Sequence, residues 1–87
     1  MVELIQQFKE PVDLDETPYL VRVYGEQGGD GSWTAWLEFH PVLDTAPVLR
    51  TEPETTQPDR SSLAHWASGL GSHYFGNALT RAINRTS

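Results

Sequence analysis

Two stretches of alternating apolar and polar side chains lie in the first half of the chain. They run over residues 18–26, PYLVRVYGE, and 33–40, WTAWLEFH. A period of two, with many aromatic and β-branched residues, predicts strands. The glycine-rich segment 25–32, GEQGGDGS, joins them, and glycine tolerates the positive φ of a tight turn. The pattern therefore predicts an antiparallel β-hairpin.

The segments that flank the hairpin predict shorter elements. A third strand is expected around residues 47–51, at an edge of the sheet, because proline cannot donate a hydrogen bond to a ladder. Residues 1–10 fit an edge strand or an ordered arm, although their apolar residues also have helical spacing. Residues 10–18, EPVDLDETP, carry two prolines and four acids. We expect this segment to be an extended linker.

The last third of the chain has helical periodicity. Thr56 and Asp59 have the spacing of a capping box, with Pro58 in the first turn. Two apolar stripes with helical spacing follow, and Gly69 and Gly71 between them should end or kink the helix. The stripes consist of Leu63, Trp66, Ala67 and Leu70, and of Phe75, Leu79, Ala82 and Ile83.

These elements predict an α+β fold in which strands come first and helices follow. The antiparallel sheet should have three strands, or four if the N-terminus joins it. A C-terminal helix, or a kinked pair of helices, should pack on one face. We expect one domain over residues 1–87, divided into an N-terminal arm and acidic linker (1–17), the sheet (18–52), a helical segment (56–84) and a frayed tail (85–87).

The two hairpin strands send alternate side chains to opposite faces of the sheet. The more apolar rows should meet the helices. The other face is a candidate interaction surface, because large aromatic residues on an open sheet need a covering partner. It consists of Leu20, Arg22, Tyr24, Trp36, Glu38 and His40. The N-terminal arm, a second copy or a partner protein could cover it, and Glu38 opposite Arg22 predicts a cross-strand ion pair.

The 87 residues carry a formal charge of -6, and all twelve acids lie at or before Asp59. Residues 60–87 hold three arginines and no acid. An acidic chain repels nucleic acid and anionic membranes, so neither is expected as a partner. No apolar run reaches the roughly 20 residues of a membrane span. With no signal-peptide pattern and no cysteine, we expect a cytoplasmic protein.

No motif points to catalysis, a metal or a cofactor, and we expect none of the three. His40, His65 and His73 lack the spacing of metal ligands. Ser61 and Ser62 lie about one helical turn before His65, but such spacing alone does not make a nucleophile and its base. The glycine-rich turn lacks the patterns of nucleotide-binding loops and leads into a strand rather than a helix.

Four segments between Tyr19 and Ala82 carry a resemblance to other proteins. The segments YLVRVYGE, WTAWLEF, RTEPETTQPDR and ALTRA resemble a group of short, uncharacterised bacterial proteins. This resemblance extends over some three-quarters of the chain and implies no activity and no site residues. The order of sheet and then helix is also similar to that of HicB-type antitoxin domains, in layout only, since no DNA-binding segment follows.

Three functional hypotheses follow. The first is a non-enzymatic bacterial protein-interaction module that binds a partner protein or forms a homodimer through the open sheet face. The second is an acidic inhibitor or antitoxin-like protein that binds a basic partner by imitating nucleic acid. Its acids would be Glu10, Asp13, Asp15, Glu16, Glu52 and Glu54. The third is a small ligand-binding protein or enzyme with a cleft between sheet and helix near Arg50, His65 and His73.

Overall fold

The fold consists of an antiparallel sheet followed by two helices. The computed structural model describes residues 1–14, 16–43 and 46–86. Within them the elements are β1 (Val2–Gln7), β2 (Val12–Leu14), β3 (Thr17–Gln27), β4 (Trp33–Pro41), β5 (Leu49–Arg50), β6 (Thr55–Gln57), α1 (Arg60–Ser68) and α2 (Ser72–Thr86).

The predicted hairpin is the centre of the sheet. β4 pairs antiparallel with β3 over the whole length of β4, with Tyr24 opposite Trp36. In the turn, Gly31 has a φ of 88°, which a glycine adopts without steric strain. The Asp30 carboxylate accepts hydrogen bonds from the backbone N–H and the hydroxyl of Ser32. The turn therefore closes the hairpin through one glycine and one Asx contact.

Each edge of the sheet is made of two short strands placed end to end. β1 and β2 pair with the two halves of β3, while β5 and β6 pair with the two halves of β4. Between β5 and β6, Thr51 donates its N–H to the carbonyl of Leu37 and accepts the N–H of Leu37 on its hydroxyl. The sheet is therefore four strands wide, with both edges interrupted.

The N-terminal residues form an edge strand, which is one of the two alternatives, strand or ordered arm, that the sequence left open. The linker prediction for residues 10–18 is wrong in part, because β2 lies within it. Val12 and Leu14 pack against the core while Asp13 is exposed between them. This short alternation was hidden by the acids and prolines around it. Asp15 lies outside the described residues.

The C-terminal region forms two helices rather than one kinked helix. The predicted capping box is wrong, because Asp59 is itself the N-cap of α1 and its carboxylate accepts the N–H of Ser62 at 2.8 Å. This hydrogen bond lowers the pKa of Asp59 below its ordinary value. Thr56 belongs to β6 instead. Gly69 caps the end of α1.

The prediction of a frayed tail over residues 85–87 is wrong for residues 85 and 86, which belong to α2. The second helix continues through Thr86, and Arg85 is anchored to the sheet by hydrogen bonds to the carbonyl oxygens of Arg50 and Thr51. Ser87 lies outside the described residues.

Both helices pack on one face of the sheet, which confirms the α+β prediction. The apolar rows of β3 and β4 meet the two predicted stripes of the helices there. The buried core contains Tyr19, Val21, Val23, Ala35, Leu37, Phe39, Leu49, Leu63, Ala67, Phe75, Ala78, Leu79 and Ala82.

The N-terminal strand contributes its own side chains to this helical side. Phe8 lies edge-on to Phe75 with ring centroids 4.7 Å apart, and Ile5 packs against the core. The N-terminal segment therefore extends the sheet sideways, and it does not fold over the opposite face.

We expect Gly25→Ala to destabilise the protein by about 1–3 kcal/mol through overpacking. A Cβ at this buried position would lie 2.7 Å from Cδ2 of Leu63 and 3.1 Å from Cγ1 of Ile5. Urea unfolding of both proteins measures the difference. Gly29→Ala is the matched control, because a Cβ there meets no atom within 4 Å. Equal effects of the two substitutions would contradict the close approach of α1 and β1 at Gly25.

Candidate interaction surface on the helix-free face

The face of the sheet opposite the helices, here called the helix-free face, carries all six predicted surface residues. β3 and β4 place them in three directly opposed pairs. The pairs are Leu20 with His40, Arg22 with Glu38, and Tyr24 with Trp36. Their neighbours along each strand point into the core instead. The period-two pattern therefore brings the predicted set together.

Trp36 is covered, although neither the described helices nor the N-terminal segment lies over it. Its side chain is only 4% exposed. The guanidinium of Arg50 lies 4.3 Å from the centroid of the Trp36 ring, and the Tyr24 ring is stacked beside it at 6.5 Å and 20°. A cation over an indole is an attractive arrangement. The cover thus comes from β5, at the edge of the same sheet.

Glu38 organises the polar groups of this face. One carboxylate oxygen accepts the indole N–H of Trp36 at 3.1 Å, and the other contacts Nε2 of His40 at 3.1 Å. The predicted ion pair between Glu38 and Arg22 is not among these contacts. Arg22 instead lies 3.4 Å from Nδ1 of His40. Because a guanidinium can only donate, Nδ1 accepts and the Nε2–H of His40 donates to Glu38.

Exposed apolar side chains lie at both edges of the helix-free face. In β1, Leu4 lies opposite Tyr24 and is 44% exposed, and Val2 is 50% exposed. At the other edge Val48 is also 50% exposed, while the next residue, Leu49, is buried in the core. Val48 lies just before β5, outside the residues that pair with β4. The face therefore combines an ordered polar centre with apolar edges.

Sequence analysis missed Leu4 and Arg50 as members of this face. The apolar residues at the N-terminus fitted two periods, and a bulge between Leu4 and Gln6 shifts the register of β1. Arg50 was assigned to a cleft on the helical side. Its place is decided by pairing with Glu38 in a strand of only two residues, which is too short to show alternation. No sequence signal could have identified it.

The residues proposed for a cleft between sheet and helix do not converge. Arg50 extends over Trp36 on the helix-free face, whereas His65 and His73 are exposed on α1 and α2. An open depression beside α1 is lined by Gln57, Ser61, Ser62, His65 and Trp66. Among the described residues no hydrogen bond joins either serine to His65. The structure thus assembles no nucleophile and base there.

The described residues contain neither a cluster of metal ligands nor a membrane-spanning helix. In residues 1–14, 16–43 and 46–86, no group of three or more His, Cys, Asp or Glu side chains is placed to hold a metal ion. None of the helices in this part of the chain is long and apolar enough to cross a membrane.

A second polar cluster joins the sheet to α2. The Glu54 side chain is only 3% exposed and receives two hydrogen bonds from Arg81, at 2.7 and 2.9 Å, and one from the hydroxyl of Tyr74. Burial alone would raise the pKa of the Glu54 carboxyl, but these donors outweigh it and lower that pKa below its ordinary value. Burial, together with the bond to Glu54, raises the pKa of Tyr74 to about 12. This cluster fixes α2 against the segment between β5 and β6, in which Glu54 lies.

We expect Glu54→Gln to lower the free energy of unfolding by about 1–3 kcal/mol at pH 7, because it removes charge-assisted hydrogen bonds. A carboxyl whose pKa is lowered on folding stabilises the protein above its unfolded pKa of about 4.3. That contribution is lost as the pH falls through the lower folded pKa. Urea unfolding should therefore show a difference in the free energy of unfolding between wild type and Glu54→Gln at pH 7. This difference should become smaller at acidic pH.

The matched control for this substitution is Glu52→Gln. Glu52 pairs with Arg85 at 2.9 Å but is 71% exposed, and exposed pairs contribute about 0–1 kcal/mol. If the difference in the free energy of unfolding between wild type and Glu54→Gln stays constant from neutral to acidic pH, Glu54 is not ionised in this cluster as proposed.

Comparison with known proteins does not add a family to this description. The chain matches no family model, no curated protein and no solved structure. Function therefore has to be inferred from the fold and from the placement of its side chains.

Proposed function

We propose that the chain is a non-enzymatic protein-interaction module of a bacterial cytoplasmic protein. It binds a second protein chain through the helix-free face, either a partner protein or another copy of itself. The observation that supports this most is the composition of that face. Its centre is an ordered set of aromatic and charged residues, and its edges expose Val2, Leu4 and Val48. Surfaces that bind proteins combine aromatic and arginine side chains in this way.

The order of this face favours binding. Trp36, Glu38 and His40 are joined by hydrogen bonds, and Arg50 is held against the indole ring. Side chains that are already fixed lose little conformational entropy when a partner covers them. Trp36 itself is too buried to be the main contact, so Tyr24, Leu20 and the exposed edges would provide most of the contact area.

A non-enzymatic role is proposed because the reactive side chains are dispersed or already engaged. Both ring nitrogens of His40 are occupied by Arg22 and Glu38. The other two histidines lie exposed on separate helices. General acid–base chemistry needs a positioned group within reach of a substrate site, and none of these arrangements supports one.

The acidic-inhibitor hypothesis receives less support. Of its six acids, Glu54 is buried against Arg81 and Tyr74, and Glu52 is paired with Arg85. An imitation of nucleic acid requires a row of accessible negative charges. Glu10, Asp13 and Glu16 remain exposed, and Asp15 lies outside the described residues. The geometry therefore favours the helix-free face over the acidic segment as the main binding surface.

We expect Tyr24→Ser and Leu4→Lys to weaken binding of the second chain while the domain stays folded. Tyr24 is half-buried beside Trp36 and Leu4 is exposed, so the two variants alter the same face at different depths. The mass of the purified protein, by sedimentation velocity, and the proteins captured from an extract of its own cells are compared with wild type. Circular dichroism verifies folding.

The matched control is Asn77→Ser, on the exposed side of α2. The proposal predicts that at least one association, with itself or with a captured protein, is lost in both face variants and kept in the control. If every association survives both face substitutions, the helix-free face is not the binding surface.

A further inference from the structure

The arginines of this protein fall into two groups. Three of the five each form an ion pair with a glutamate, and each of these pairs fastens a helix to the sheet or its edge. The pairs are Arg60 with Glu3 at 2.7 Å, Arg81 with Glu54 at 2.7 Å, and Arg85 with Glu52 at 2.9 Å. The remaining two, Arg22 and Arg50, both belong to the helix-free face.

Arg22 and Arg50 form no ion pair with any described residue. Glu38 lies directly between them, opposite Arg22 on one side and Arg50 on the other. Its two oxygens are already occupied by Trp36 and His40. Nε of Arg22 is buried without a hydrogen-bond partner, which is an unfavourable state for a charged donor. The helix-free face therefore carries two guanidiniums, one on each side of Glu38, and neither is in direct ion-pair contact with a described carboxylate.

One acid without an ion-pair partner among the described residues, Asp13, lies at one end of the same surface. Glu10, Asp13 and Glu16 are exposed and form no ion pair with any described residue. In β2, Val12 and Leu14 pack against the core, so alternation directs Asp13 to the helix-free face. Asp13 lies opposite Pro18, four residues before Arg22 in β3. At a rise of roughly 3.3 Å per residue, this separates Asp13 from the level of Arg22 by about 13 Å along the strand direction. Arg50, in β5, lies two strands further across the sheet.

We propose that the occupant of the helix-free face is a second copy of this chain, related by a twofold axis. In this dimer, Asp13 of each copy lies against the Arg22 and Arg50 pair of the other. A surface with a positive region and a negative region some distance apart is complementary to its own twofold-related copy. The same contact covers the exposed side chains of Leu4 and Val48. This inference depends on the proposed function, because it identifies the occupant of the same face.

The chain itself supplies the argument for a second copy over another acidic molecule. The carboxylate of Asp13 and the guanidiniums of Arg22 and Arg50 share one face, so that two copies bring these opposite charges together twice. Two copies of net charge -6 also repel each other, but a nucleic acid has in addition no cation that could neutralise Asp13.

Charge exchange tests the dimer. We expect the wild-type protein to sediment as a dimer whose dissociation constant rises with salt. Asp13→Lys and Arg50→Glu should each weaken it about tenfold, because each places like charges opposite one another. The double variant Asp13→Lys with Arg50→Glu should recover most of the affinity, since the exchanged charges again attract across the interface.

Two controls match the change in net charge. Asn77 and Thr80 are exposed on α2, so replacing both by Lys, or both by Glu, alters the charge by the same amount away from the helix-free face. These controls should dimerise as the wild type does. Circular dichroism and thermal unfolding of every variant separate loss of contact from loss of fold.

A wild-type protein that stays monomeric at all concentrations overturns the proposed dimer. So does a dimer whose dissociation constant is unchanged by both single substitutions. A double variant that does not recover the affinity overturns it as well. The proposed function fails by a different result. It survives a monomeric wild type if a captured protein is lost in Tyr24→Ser and Leu4→Lys but kept in Asn77→Ser.

Discussion

The antiparallel pairing of β3 with β4 is the constraint on which the rest of the structure depends. This pairing sets Val21 opposite Phe39 and Val23 opposite Leu37, and these side chains are completely buried. A shift of one residue would exchange the faces of a whole strand. The apolar row would then lose the helices, and the aromatic and charged row would be forced under them. The register therefore creates the core and the helix-free face together.

The helices are held to one face by apolar packing and by ion pairs at its margin. Leu63 and Ala67 of α1, and Leu79 and Ala82 of α2, are completely or almost completely buried. Glu54 is the most protected member of the marginal pairs, and it connects the end of the sheet to the middle of α2. Because each pair uses one acid and one arginine, the net charge is unchanged, but the places of the unpaired charges depend on the fold.

On the helix-free face no second layer of described residues covers the sheet. Its aromatic rings are protected instead by neighbouring side chains of the sheet itself. Arg50 reaches over Trp36 from one edge, and Tyr24 stacks on it from β3. An arginine can do this because its planar guanidinium pairs well with an aromatic face and keeps its donors available at the rim. The same residue thus covers the tryptophan and leaves a positive charge at the surface.

The hairpin and the α+β order can be predicted from the sequence alone, and so can the two helical stripes and the six residues of the helix-free face. The reason is that period-two and period-3.6 patterns are local, and that β3 and β4 are long enough to show them. Tertiary structure alone decided the edges. The strands β2, β5 and β6 have two or three residues each, too few for a period to be visible. Their places depend on backbone pairing with β3 and β4. The cover over Trp36, the burial of Glu54 and the position of Arg22 beside His40 all follow from that pairing, which joins residues far apart in the chain.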